Sequence, residues 1–119
     1  MRPLTEAEAA ALLDDVATLI WRHAAVLAGT DPNRPADEIL NSDAAKPASL
    51  ATVAVAEAAT VAVASIVRSA ARWAAEHGAD YSDLGAAAGI TRQGARQRWP
   101  GLAEVTAAAR ARPDTTPER

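Results

Sequence analysis

The sequence contains no cysteine and no phenylalanine, and only 3% of its 119 residues are aromatic. Without cysteine, the chain has no disulfide, no thiol nucleophile and no cysteine-bound zinc. Residues that favour strands are scarce apart from valine, whereas alanine, the strongest helix former, is abundant. The two histidines, His23 and His77, have no companions at metal-ligand spacing. These absences predict an all-α protein that is not an enzyme and holds neither a metal nor a cofactor.

Charge is distributed unevenly along the chain, although the formal net charge is only −3. Residues 1–67 carry four basic and nine acidic side chains, whereas residues 68–112 carry seven arginines and four acidic side chains. An acidic front with a basic rear module is typical of a protein that contacts phosphate with one part only. The first residues lack the basic start and apolar stretch of a signal peptide, so we expect a cytoplasmic protein.

Apolar residues at three- and four-residue steps predict a first helix over 6–28. Thr5 and Glu8 have the spacing of a capping box at its start, and Gly29 can adopt the left-handed conformation that ends a helix. Prolines make residues 30–48 a connector, in which one short turn is expected to place Ile39 and Leu40 in the core.

A second, long helix is predicted over 49–77, with Ser49 as N-cap and Gly78 as its end. Its first part, 50–67, is apolar apart from Glu57 and small polar residues, which suits either a membrane span or a helix enclosed by protein. The run barely reaches the ~20 apolar residues of a span and has a carboxylate at its middle. We therefore expect no membrane but a homodimer whose interface covers this helix.

Glu57 is the single charge in that run, and a lone buried carboxylate is costly. It must face solvent, pair across an interface or mark a ligand site. The candidate partners for a pair are Arg68, Arg72 and Arg22 of a neighbouring helix. A small-molecule effector bound between the apolar helices is a further alternative.

The segment 80–99 has the local signals of two short helices joined by a tight turn. Asp80 or Ser82 is placed to cap the first helix, and Thr91 to cap the second. Gly89 can make the turn, because positive φ costs glycine nothing. Gly85 is expected where the two helices approach closely. Five small or apolar residues at helical spacing are expected to face the core: Leu84, Ala88, Ile90, Ala95 and Trp99.

The outward side chains of the second helix, which runs to about 99, suit the major groove of DNA. Arginine can bond guanine with two hydrogen bonds, and glutamine can bond adenine in the same way. Thr91 and the free amides at the helix start are placed for a phosphate. The predicted DNA-binding residues are Thr91, Arg92, Gln93, Arg96, Gln97 and Arg98.

The motif Leu84-Gly85-x3-Gly89-Ile90-Thr91-Arg92-Gln93-Gly94-Ala95-x-Gln97-Arg98-Trp99 resembles the helix-turn-helix of small bacterial regulators, related to the DNA-reading region of sigma factors. The resemblance covers the rear third of the chain and implies a tri-helical unit whose first helix is 64–77. The family usually has alanine where Gly94 stands, which makes this recognition helix softer. Because few residues follow that helix in this sequence, we expect no β-wing.

Together these observations predict a protein that binds double-stranded DNA in a sequence-specific manner and acts as a homodimeric transcriptional regulator. The predicted parts are a helical dimerisation arm over 1–67, a DNA-binding domain over 68–112 and a disordered tail over 113–119. The alternative is a helical adaptor whose helix-turn-helix contacts a protein partner instead of DNA.

Overall fold

The computed structural model describes residues 1–113, which form helices without a single strand. The prediction of an all-α fold with a long central helix is therefore confirmed. The chain divides into two compact units, Met1–Val63 and Ala64–Arg119, and the central helix contributes to both. In chain order the helices are α1 (Glu6–Leu27), α2 (Ala36–Leu40), α3 (Ala45–Glu76), α4 (Tyr81–Ala88), α5 (Arg92–Arg98) and α6 (Ala103–Ala111).

The capping box at the start of α1 forms as predicted. The Thr5 hydroxyl accepts a hydrogen bond from the Glu8 amide at 3.1 Å, and the Glu8 carboxylate accepts one from the Thr5 amide at 3.0 Å. Arg2 also donates to this carboxylate, and mainly for that reason the pKa of Glu8 is lowered from 4.5 to about 2. The helix ends at Leu27, and Gly29 has a φ of 76°.

The connector and the start of α3 differ in part from the prediction. Ile39 is fully buried, but Leu40 is 49% exposed, so its expected place in the core is wrong. The long helix begins at Ala45 and not at residue 49, and Ser49 is therefore not its N-cap. Pro47 is tolerated because it is the third residue of α3, where a backbone amide has no acceptor within the helix.

The first unit has very little core of its own. Its buried apolar residues are Ile39 and four alanines, which are Ala24, Ala25, Ala48 and Ala51. Larger apolar side chains on α1 and α3, such as Leu13 at 70% and Val61 at 72%, are exposed. By length and composition α3 could also cross a membrane, with a mean hydropathy of 2.0 over an 18-residue window of which 6% is buried.

The second unit has a continuous apolar core that draws on the end of α3 and on the three following helices. Buried side chains from α3, α4 and α5 meet the segment that leads into α6, and Val67, Ala74, Ile90 and Val105 pack against them. The core residues are Ala71, Ala75, Tyr81, Leu84, Ala95, Trp99 and Leu102. This core holds α5 in place. The predicted disordered tail lies outside the described residues, apart from Pro113.

Candidate nucleic-acid interface

Asp80 fixes the start of α4, and Ser82 lies within the helix. The Asp80 carboxylate accepts a hydrogen bond from the Asp83 amide at 2.9 Å, and the Asp83 carboxylate accepts one from the Asp80 amide at 3.0 Å. The backbone hydrogen bond from Asp83, with a smaller contribution from Arg110, holds the pKa of Asp80 below its ordinary value. This reciprocal cap satisfies two amides that the first turn leaves free.

The turn between α4 and α5 depends on two glycines. Gly89 ends α4 with a φ of 70°, in the left-handed region that other residues rarely adopt. A β-carbon on Gly85 would lie 2.8 Å from the carbonyl oxygen of Ile90 and 3.1 Å from backbone atoms of Thr91. The close approach predicted at Gly85 therefore exists, and its partner is the backbone of the turn that leads into α5. Ala88, which was expected to face the core, is exposed because the chain turns away directly after it.

Thr91 caps α5 as predicted, since its hydroxyl accepts a hydrogen bond from the Gly94 amide at 2.9 Å. The inward side of the helix also agrees with the sequence pattern, because Ala95 is fully buried and Trp99 is 8% exposed. These two residues, four apart, anchor one side of α5 in the core and thereby determine which side faces outward.

All six predicted DNA-binding residues are exposed. At about 100° per residue, Gln93 and Gln97 lie opposite the buried Ala95 and Trp99. The arginines occupy the two flanks of the helix. Arg92 and Arg96 line a depression of about 320 Å³ shared with α6, whereas Arg98 lines one of about 430 Å³ shared with Arg68 and Arg72 of α3. The outer side of α5 thus presents two glutamines at its centre, with Arg92 and Arg96 on one flank and Arg98 on the other.

Two of the flanking arginines lie on aromatic rings of the core. The guanidinium carbon of Arg96 is 5.3 Å from the ring centre of Tyr81, and that of Arg98 is 5.0 Å from the ring centre of Trp99. Stacking on an aromatic face restricts a guanidinium while its N–H groups remain available at the edge. The arginines are therefore partly ordered before any ligand arrives.

Tyr81 is a residue whose role the sequence does not indicate: its hydroxyl joins the two ends of the connection between α5 and α6. This hydroxyl donates to the carbonyl oxygen of Trp99 at 2.7 Å and accepts from the amide of Leu102 at 3.0 Å, and both bonds are buried. Because the partners are 18 and 21 residues away in sequence, no local pattern indicates them.

Helix α6 is not predicted from the sequence either, and it binds the last residue of α3 and the connection that follows. Thr106, Arg110 and Arg112 donate hydrogen bonds to carbonyl oxygens of Ala79, Gly78 and Glu76, respectively. Glu76 is the last residue of α3, and Gly78 and Ala79 lie in the connection to α4, so helical hydrogen bonds do not continue through these carbonyls. The turn Pro100-Gly101 marks the break before α6, but its N-cap, Leu102, makes no side-chain hydrogen bond that would signal a helix start. Arg110 and Arg112 therefore have a structural role within the basic rear module.

No protein family, curated protein or solved structure matches this chain. The resemblance to a helix-turn-helix thus depends on the residues of 80–99 and on the geometry described above. Within residues 1–113, no three histidine or acidic side chains lie close enough together to hold a metal ion.

Proposed function

We propose that this protein binds double-stranded DNA with a helix-turn-helix formed by α4 and α5, and that α5 enters the major groove. The observation that carries this proposal is the outer side of α5, where Gln93 and Gln97 lie between arginines on both flanks. An α-helix fits the major groove, where glutamine and arginine side chains can distinguish bases. The side opposite is anchored by Ala95 and Trp99, so the helix is held by the core and not by the ligand.

The two flanks suit the two phosphate strands that border the groove. Phosphate contacts fix the position of a recognition helix, and base contacts give specificity. We assign the glutamines to base edges, and the arginines to either bases or phosphates according to their reach. Residues 68–112 carry a net positive charge that attracts the DNA backbone, whereas the net negative charge of residues 1–67 is repelled by it.

We further propose that the regulator acts as a homodimer, because the first unit leaves large apolar side chains exposed. A two-fold dimer binds two half-sites whose centres are about 34–36 Å apart, or a multiple of that distance. Sequences selected by the protein from a random pool of duplexes should therefore contain inverted repeats.

The test is a comparison of two variants on the selected duplex by gel shift and fluorescence anisotropy. Replacing Arg92, Gln93 and Arg96 together by alanine should weaken binding at least about tenfold, since one base contact contributes ~1–3 kcal/mol. The matched control replaces Arg22 and Lys46 of the first unit by alanine, so it removes as many positive charges, two, as the triple variant does.

The salt dependence of binding separates the two kinds of contact. Each lost phosphate contact should reduce the slope of log K against log salt by about 0.9, whereas a lost base contact should reduce preference at one position. Equal affinity of the triple variant and the control for the selected duplex would contradict the assignment of α5. If the wild-type protein shifts no duplex even at low salt, the proposal that it binds DNA is wrong.

A further inference from the structure

One depression of the second unit, called here the arginine depression, is lined by three arginines and a serine. It has a volume of about 430 Å³, and its lining comes from α3, from the last turn of α5 and from the segment that follows α5. Among residues 1–113, no acidic side chain contributes to this lining. Its charged and hydroxyl-bearing residues all belong to the second unit, so the site is complete within one compact part of the chain. They are Arg68, Ser69, Arg72 and Arg98.

Two of these arginines have no acidic partner. Arg68 and Arg98 lie more than 4.0 Å from every carboxylate in the part of the chain that the structure describes. Arg72, by contrast, pairs with Glu76 at 3.1 Å. The guanidinium of Arg98 is also restricted, because its carbon lies 5.0 Å from the ring centre of Trp99, a residue of the core. Two uncompensated positive charges from different helices therefore line the arginine depression.

Two guanidiniums and a hydroxyl are the donors that a phosphate group needs. A guanidinium can donate two parallel hydrogen bonds to phosphate oxygens, and such charge-assisted bonds are roughly twice as strong as neutral ones. Ser69 adds a hydroxyl donor, and serine side chains are among those that contact DNA phosphates. A free phosphate and a phosphate of the DNA backbone present the same oxygens, so the surroundings of the depression decide between them.

The position of the arginine depression favours the DNA backbone. Arg98 directly follows Gln97, whose side chain lies on the outer side of α5 that is proposed to face the bases. A helix in the major groove has a phosphate strand along each of its sides, and the strand on the Arg98 side passes the arginine depression. The depression on the opposite side has the carboxylate of Asp80 in its lining, which repels a phosphate. The Arg98 side therefore accepts a phosphate more readily.

We propose that the arginine depression binds one phosphate of the DNA strand that borders the major groove on the Arg98 side of α5. Arg98 and Arg68 donate hydrogen bonds to its non-bridging oxygens, and the Ser69 hydroxyl donates a further one. This inference rests on the proposed binding of DNA by α5. It adds to the interface α3, which carries none of the DNA-binding residues predicted from the sequence. A contact to phosphate fixes the position of α5 without selecting a base.

Single substitutions test the contact by fluorescence anisotropy. Arg68→Ala and Arg98→Ala should each weaken binding to the selected duplex at least about tenfold, because each removes a charge-assisted hydrogen bond. The loss should be the same for every duplex sequence, and the slope of log K against log salt should fall by about 0.9. Both side chains are exposed, so the variants should melt as the wild type does. Arg22→Ala, which removes an exposed arginine from α1, is the control and should bind as the wild type does.

Duplexes with one neutral linkage locate the phosphate. A methylphosphonate replaces one non-bridging oxygen by a methyl group and thereby removes the charge. When each phosphate of the selected duplex is replaced in turn, the wild type and Arg22→Ala should lose at least about tenfold in affinity at one phosphate of each half-site. The double variant Arg68→Ala/Arg98→Ala, measured at low salt where binding is stronger, should lose less than about twofold there, because both guanidiniums that bind this phosphate are absent.

The outcomes separate this inference from the proposed function. If the double variant loses as much affinity at that phosphate as the wild type, the arginine depression does not bind it, and the inference is wrong although DNA binding stands. If Arg68→Ala or Arg98→Ala changes the preference at one base pair instead of weakening all sequences alike, that arginine reads a base and the inference is also wrong. A wild type that shifts no duplex even at low salt refutes the proposed function and this inference with it.

Discussion

The hydroxyl of Tyr81 provides the sharpest test of how the structure holds α5. Tyr81→Phe keeps the ring and removes one oxygen, so the packing of Leu84 and Trp99 against the ring is retained. The carbonyl oxygen of Trp99 and the amide of Leu102 both lose their partner. A buried polar group without a partner costs about 1–3 kcal/mol, so two such groups lead us to expect a loss of about 2–6 kcal/mol in the free energy of unfolding.

Urea and thermal unfolding followed by circular dichroism measure this loss. For a domain of this size the melting temperature should fall by roughly 8 °C or more. Ser82→Ala, which removes an exposed hydroxyl from the adjacent position, is the control and should change stability by less than about 0.5 kcal/mol. Because Arg96 contacts the ring and not the hydroxyl, the proposed binding to DNA, measured well below the melting temperature, should be the same as for the wild type. A Tyr81→Phe variant as stable as the control would refute the reasoning.

Two further predictions concern the turn and the first helix. Gly85→Ala should destabilise the protein by about 1–3 kcal/mol, because the new β-carbon would lie 2.8 Å from the backbone oxygen of Ile90. In the control, Gly94→Ala, the new β-carbon would lie 3.2 Å from a side-chain atom of Thr91, so stability should change less. Equal urea midpoints of the two variants would contradict this prediction. Glu8 has a pKa of about 2, lowered from 4.5 mainly by Arg2, so its carboxylate stabilises α1 above pH 4.5 and this contribution disappears as the pH falls toward 2. Helicity of Glu8→Gln should therefore decline less than that of the wild type over this range, and identical acid titrations would show that the pair is not formed.

The features that the sequence predicted well are those that depend on a few neighbouring residues. The capping box at Thr5 and Glu8, the turn at Gly89 and the cap at Thr91 all involve partners within four positions. Short-range geometry of this kind has fixed chemistry, so residue types alone indicate it. The outward side of α5 followed from the same periodicity, because Ala95 and Trp99 determine the inward side.

The features that the sequence did not predict depend on contacts between distant segments. Ala88 has the spacing of an inward residue, but the path of the chain after Gly89 exposes it. Ser49 has the chemistry of an N-cap and predicts a start of α3 at residue 49, yet the helix begins at Ala45 and takes Pro47 into its first turn, where proline is tolerated. Helix α6 has no side-chain cap, and its bonds to Glu76 and Gly78 span more than 30 residues.

The alanines of the first unit have a consequence for which sequences this arrangement can accept. Three of them, Ala24, Ala25 and Ala48, have no exposed surface, so a single methyl group fills the space available to each side chain. A valine or leucine at these positions would be at least as apolar, but it would have to displace neighbouring atoms, which typically costs about 1–3 kcal/mol. These three positions therefore limit the size of the side chain to one carbon atom, whatever its hydrophobicity. Glycine satisfies that limit but weakens the helix, so alanine is the only residue that meets both conditions.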